Sequence, residues 1–278
     1  MSRAQIIVLS SAVALFALIY FGGRRTQIAQ KSIEETRTKK AENASINEIV
    51  GLAKAKLSEA DANELAVLES KLDEAASDTA KLEFFKQLNR KWYTLQQFGV
   101  SGFYAEEVAQ VEDSDEAWSM AGYSYARCFT ATENEREYNF CFDKAITAFE
   151  NAASLAPDST IYRENLAFCY TQHKDPSRTM EGIKLYQGIL EQDSSNLRVL
   201  MRLGKLSVDV TKDYPKAIKR LERAVVVAPN DFEANYYLAR AYMGLNNNEA
   251  AKEYFRKSLA LTNDASVKNN INQFLKNL

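Results

Sequence analysis

The sequence is short of the residues that most catalytic and metal centres require. Its 278 residues include one histidine, three cysteines, four prolines and ten glycines. The single His173 lies in "QHKDPSR", a predicted turn. It would be the only base available for Ser–His–Asp chemistry, and a His-Glu-x-x-His zinc pattern cannot be assembled from it. No glycine-rich phosphate loop occurs. Scarce Gly and Pro argue against a chain cut by many tight turns, and plentiful Ala, Leu, Glu and Lys favour helix throughout. A formal net charge of -2 gives no overall nucleic-acid signature. These absences point to an all-α protein with no catalytic residues, cofactor or nucleic-acid partner.

Cys128, Cys141 and Cys169 form an odd, sparse set rather than a disulfide framework, which leans toward a reducing compartment. Cys169 and His173 stand one helical turn apart, so a Cys3His zinc site or a redox role is a distant alternative. No Cys-x2-Cys spacing supports it, and buried cysteines mostly behave as small apolar residues.

Charge is unevenly placed. Residues 101–196 carry 7 basic and 17 acidic side chains, a net of -10, whereas residues 197–278 carry 14 and 8, a net of +6. The longest stretch without charge runs from Ala4 to Gly23, between Arg3 and Arg24. As a helix those 20 residues would rise about 30 Å, the depth of a bilayer's hydrocarbon core. Tyr20 and Phe21 stand where signal cleavage would need small residues. The segment therefore reads as an uncleaved membrane anchor, residues 1–23, attached to the membrane through residues 4–23. Arg24, Arg25, Lys31, Arg37, Lys39 and Lys40 follow it, and by the positive-inside rule they hold the C-terminal bulk in the cytoplasm. Arg3 and the amino terminus on a five-residue tail also suit the opposite orientation, with an exported body.

Residues 24–44 are charged and nearly free of large apolar groups, a stalk or linker. Residues 45–114 read as a helical spacer. Ser45-Ile-Asn-Glu48 and Ser58-Glu-Ala-Asp61 are capping patterns. They open predicted helices over about 46–57 and 60–76. A third, about 79–98, carries Leu82, Phe85, Leu88, Trp92 and Leu95 on one stripe, and 101–111 is expected to pack against it.

From 115 a pattern recurs. "WSMAGYSYA" places Trp118, Ala121, Gly122 and Tyr125 on one helical face, large-small-small-large. "AITAFENAASLAP" follows with Ala145, Phe149, Ala152 and Pro157. Leu166, Ala167 and Tyr170 precede Gly182, Tyr186 and Ile189. Leu200, Leu203 and Gly204 precede Ala217, Leu221, Ala224 and Pro229. Leu238, Ala239 and Tyr242 precede Ala251, Phe255 and Ser258. Units begin near 115, 160, 197 and 232, and the longest insertion lies between Arg127 and Asp143. Its Phe129, Tyr138, Phe140 and Phe142 are expected to extend two helices and pack together. Residues 79–111, with Phe85, Leu88 and Trp92 at matching spacing, read as a degenerate fifth unit. In residues 266–278 the apolar stripe Val267, Ile271, Phe274 and Leu275 suits a helix that caps the last unit.

The repeated pattern over 115–265 resembles the tetratricopeptide repeat. The resemblance implies an α-solenoid, a right-handed superhelix whose concave groove is lined by the first helix of each unit. At the level of the whole chain, a span, a spacer and an array together resemble anchored tetratricopeptide proteins of Bacteroidota-type bacteria. The family's groove positions fall on Ile161, Asn165 and Phe168, on Arg198, Met201, Arg202 and Lys205, and on Tyr236, Tyr237 and Arg240. That groove would be basic and aromatic, and would bind a protein or peptide partner, an acidic one included. Some members grip a peptide's carboxylates. Asn165, Arg198 and Arg202 match that set in type, whereas Ser119 and Tyr123 do not match the Lys and Asn it needs. The alternative use of these side chains is solvated surface or ion pairing between repeats. The expected function is a membrane-anchored scaffold or adaptor; a periplasm-facing scaffold in envelope assembly is the alternative.

Overall fold

The computed structural model describes residues 46–278. The expected anchor (1–23), the stalk (24–44) and Ser45 of the first capping pattern lie outside the described residues. Among those described, no helix is long and apolar enough to cross a membrane.

The described chain is helical from end to end: α1 (46–54), α2 (Glu59–Glu74), α3 (Asp78–Thr94), α4 (Phe98–Glu112), α5 (Asp115–Ala131), α6 (Glu135–Leu155), α7 (Thr160–Thr171), α8 (Pro176–Gln192), α9 (Leu197–Asp209), α10 (Tyr214–Val227), α11 (Phe232–Gly244), α12 (Asn248–Ala260) and α13 (Ala265–Asn277). No strand occurs among the described residues. Most starts are fixed by a short polar side chain that accepts a bond from an otherwise orphan N–H of the first turn. Ser58 accepts from Asp61 N, Ser77 from Ala80 N, Asn196 from Val199 N, Asp231 from Ala234 N and Asn247 from Ala250 N. Asp175 and Asp213 add a proline in the first turn, where no N–H is missed. Left-handed residues follow several helix ends, among them Gln96 and Asn246, with φ of 58° at both. Behind them the N–H groups of Gln97 and Asn247 reach back to the carbonyls of Trp92 and Tyr242, the bond that closes a Schellman-type end.

The chain divides into two compact units. One holds the described residues up to Glu112 and the segment Tyr123–Lys144; the other holds Asp113–Gly122 and Ala145–Leu278. In the first, α3 packs along α4 and α2 against α3. Its core gathers Ile46, Ile49, Leu65, Leu88, Trp92 and Val100. Phe129 meets Tyr138 and Phe142 edge-on at 5.8 and 5.5 Å, and Phe140 meets Tyr125 at 6.0 Å. The insertion is thus two helices extended by more than a turn and zipped by aromatic rings. The cysteine expectation is corrected here. Cys128 and Cys141 are joined as a disulfide across α5 and α6 with Cα atoms 6.0 Å apart, and only Cys169 remains a thiol. Both residues lie where the two helices run on past the motif positions. The bond also removes two of the three sulfurs a Cys3His site would have needed.

In the second unit helices pair as hairpins, α7 on α8, α9 on α10 and α11 on α12, with α10 also against α11. The small positions of the repeated motif let helices approach closely. An added Cβ at Gly204 would lie 2.5 Å from Leu221, and one at Gly182 would lie 2.6 Å from the Ala167 carbonyl. Leu200, Leu203, Leu221, Leu238 and Phe255 are fully buried between the hairpins. Helix α13 closes the end: Ile271 is buried, and Phe274 stacks on Phe255 at 5.2 Å.

Candidate functional site

The first helices of three successive hairpins, α7, α9 and α11, carry the residues expected in the groove. Helix periodicity settles which of them face outward. On α9, Leu200, Leu203 and Gly204 turn into the core, so Arg198, Arg202 and Lys205 share the opposite face. Met201 is a correction: it is buried in the core cluster with Leu238 and Ala241 rather than lining the groove, because it lies one residue round from the polar stripe. Tyr236 is also drawn inward, against Phe232 and Phe255 at 5.7 and 5.9 Å, while Asn165 is half-buried on α7.

Two kinds of contact organise the face. The first is cation over ring. Arg202 lies 4.6 Å above Phe168, Lys205 lies 5.2 Å from Tyr237, and Arg240 lies 5.8 and 5.1 Å from Tyr236 and Tyr237. The second is a ladder of ion pairs, each reaching to a neighbouring hairpin. Lys205 pairs with Glu233 at 2.5 Å and Arg240 with Asp209 at 2.8 Å. Arg198 Nη1 sits 3.4 Å from Glu164 Oε2, an ion-pair distance without hydrogen-bond geometry. Glu164 is only 6% exposed, and its other oxygen accepts from Asn196 Nδ2 at 2.9 Å. Asn196 caps α9 with its own carbonyl oxygen, so one residue ties the buried carboxylate to the start of the next hairpin.

The acids Glu164, Asp209 and Glu233 were not anticipated. Each pairs with a base about one repeat away in the chain. Opposite charges at repeat-length spacing are therefore the signal that could have found them. They neutralise most of the basic groove. Arg202 differs: among the described residues it has no acidic partner, and it is exposed. It stands at the rim of a cavity of 160 Å³ with Thr171, Gln172, Tyr186, Lys205 and Asp209, the last of these paired to Arg240. A guanidinium drawn over a ring face still offers N–H groups to a carboxylate or phosphate. The arrangement can hold an extended partner by apolar contact and one charge-assisted bond. Among the described residues no group of His, Cys, Asp and Glu is placed to hold a metal ion.

Helix hairpins of this kind, stacked with small residues at their crossings, define a helical-repeat protein. Residues 211–269 match the tetratricopeptide repeat family, which places α10, α11 and α12 within that repeat class. Among solved structures the chain is similar to MamA residues 41-end from Desulfovibrio magneticus RS-1, at 16% identity and a TM-score of 0.50, over 67% of this chain and 97% of that one. A MamA RS-1 double mutant gives the same identity and TM-score, over 67% and 96%. YrrB, described as a TPR protein with an unusual peptide-binding site, aligns at 12% identity and a TM-score of 0.47, over 74% and 97%. Identities this low speak to the fold alone: an all-α array of repeated helical hairpins. No curated protein sequence matches the chain.

Proposed function

We propose that this chain is a non-catalytic scaffold, tethered to a membrane through residues 4–23. It holds a peptide or protein segment on the outward face of α7, α9 and α11. The observation that carries this reading is Arg202, an exposed guanidinium stacked on Phe168 and lacking an acidic partner among the described residues, in a row whose other bases are paired. The segment it fits is mainly apolar or aromatic and carries an anionic group opposite Arg202. That is narrower than the broadly acidic partner which the sequence's basic residues suggest. Asn165, Arg198, Lys205, Tyr236 and Arg240 shape the face through contacts within the protein, and Arg202 makes the charged contact with the partner. A protein-interaction role agrees with the tetratricopeptide-repeat match at 211–269.

The test uses the full chain in detergent against an array of short peptides in which acidic and apolar positions are varied. Binding is expected to need one carboxylate beside apolar residues, and Arg202→Glu should weaken it at least tenfold with an unchanged helical spectrum. Equal binding by the wild-type chain and R202E across the array would remove Arg202 from the site.

A further inference from the structure

Cys128 and Cys141 belong to the compact unit containing Tyr123–Lys144, one in the last turn of α5 and the other in the second turn of α6. Their Cα atoms are 6.0 Å apart, within the span a disulfide bridges. Both are buried, at 3% and 0% exposure, beside Phe129 and Phe142 at 2% and 4%. Burial of the bond inside a packed aromatic layer marks it as part of the folded structure. The third sulfur is the reverse case. Cys169 is fully buried on α7, and burial pushes its thiol well above the ordinary range, which suppresses the reactive thiolate. The chain thus has one pair positioned to bond and one thiol removed from exchange. A bond of this kind persists in oxidising compartments and is lost to cytosolic reductants.

We infer that the body of this protein folds outside the cytoplasm, carried across the membrane behind its apolar N-terminal run, and that a thiol–disulfide oxidoreductase acts on it there. This reverses the side to which Arg24, Arg25 and the later stalk bases point. Arg3 before the run supplies the inward charge instead. The chemistry is an exchange. One cysteine thiolate attacks the oxidoreductase's disulfide and forms a mixed disulfide, releasing one of its thiolates. The second cysteine thiolate attacks the sulfur of the first, forming the Cys128–Cys141 bond and releasing the other. Two thiols lose two protons and two electrons, and the oxidoreductase leaves as a dithiol. Burial of both sulfurs requires this before α5 and α6 close on each other.

The experiment takes the full chain from its native host, with cells quenched in acid and alkylated under denaturing conditions, and maps peptides by mass. The expected result is that Cys169 is alkylated at once and that Cys128 and Cys141 are alkylated only after reduction. Free Cys128 and Cys141 in the quenched sample would overturn the inference. A stalk variant, Ser32→Cys in a Cys169→Ser background, gives a second readout that does not depend on the disulfide. In intact spheroplasts a membrane-impermeant maleimide should label it; protection until lysis would place the body in the cytoplasm and refute the proposal.

Discussion

The Arg202 guanidinium on α9 lies 4.6 Å above the Phe168 ring on α7. The ring partly desolvates the cation and restrains it beside α7. An exposed contact of this type contributes about 0.5–1 kcal/mol, too little to hold two hairpins together. Its larger effect is to keep an unpaired charge in one orientation.

That arrangement separates Arg202 from its neighbours in mutagenesis. Arg202→Glu should cost about 1 kcal/mol of stability or less, within the ordinary range for surface changes, while weakening peptide capture at least tenfold. Arg198→Glu would face a second carboxylate toward the buried Glu164 and should cost about 1–3 kcal/mol. Thermal melts of both variants beside binding isotherms check the split. A large stability loss in R202E, or none in R198E, would contradict the pairing described for the groove.

Residue type and spacing made much of this legible. Ala121, Tyr125, Ala145, Phe149 and Ala152, named from one motif copy, are all buried at 1% exposure or less. So are Leu200, Leu203, Leu221, Leu238 and Phe255 from the later copies. Helical periodicity decides such positions, because an apolar residue three or four places on falls on the same face. Periodicity does not decide whether a base near that face is spare or paired. Arg198, Lys205 and Arg240 have the same local pattern as Arg202, and the acids that neutralise three of them come from other hairpins. The Cys128–Cys141 bond was hidden for a related reason. Its 13-residue separation brings two sulfurs together only once the lengths of α5 and α6 past the motif are known. Met201 was misplaced because one residue of helical rotation, about 100°, is enough to move a side chain from the stripe into the core.

Helix α8 offers two glycines with opposite expectations. At Gly188 an added methyl would meet nothing within 4 Å, whereas at Gly182 it would press on the Ala167 carbonyl and on Thr171. Gly188→Ala should stabilise the protein by about 0.5–1 kcal/mol through helix propensity. Gly182→Ala should destabilise it by about 1–3 kcal/mol, because a backbone carbonyl of α7 cannot withdraw without parting the hairpin. Chemical denaturation of the two variants compares them directly. Shifts of the same sign would mean that the α7–α8 approach is looser than described.

Glu107 on α4 has a second readout, in pH. Burial, and after it the neighbouring Glu106 carboxylate, raises its folded pKa, and Lys144 opposes the shift. The folded state then keeps a proton that the unfolded chain has released, so this group makes stability fall as pH rises from the ordinary carboxylate value of 4.5 through the raised one. The penalty is present in full once the pH is above the raised value. Glu107→Gln should therefore raise Tm at pH 7, with the advantage shrinking as the pH is lowered toward 4. An advantage that grew on acidification would reverse the assigned sign. The helix-capping Asp175 and Asp213 act in the other direction. Bonds from Ser177 and Lys216 lower their pKa values, and their contribution is lost as pH falls below the ordinary carboxylate range.

The C-terminal cap is the place where stability should be most local. Ile271 is fully buried, and the Phe274 ring stacks on Phe255, so α13 covers an apolar face that would otherwise meet water. In a repeat array each hairpin is stabilised mainly by its neighbours, and the loss of one interface propagates little. Ile271→Ala should cost about 2–5 kcal/mol in the cooperative unit that includes the cap. Hydrogen exchange should show lost protection in α12 and α13 first, with the core around Leu88 and Trp92 in the other compact unit unchanged. Uniform loss across all helices would mean that the chain unfolds as a single block. In that case the ion-pair ladder from Glu164 to Arg240 would couple the hairpins far more tightly than pairs with at least one exposed partner normally do.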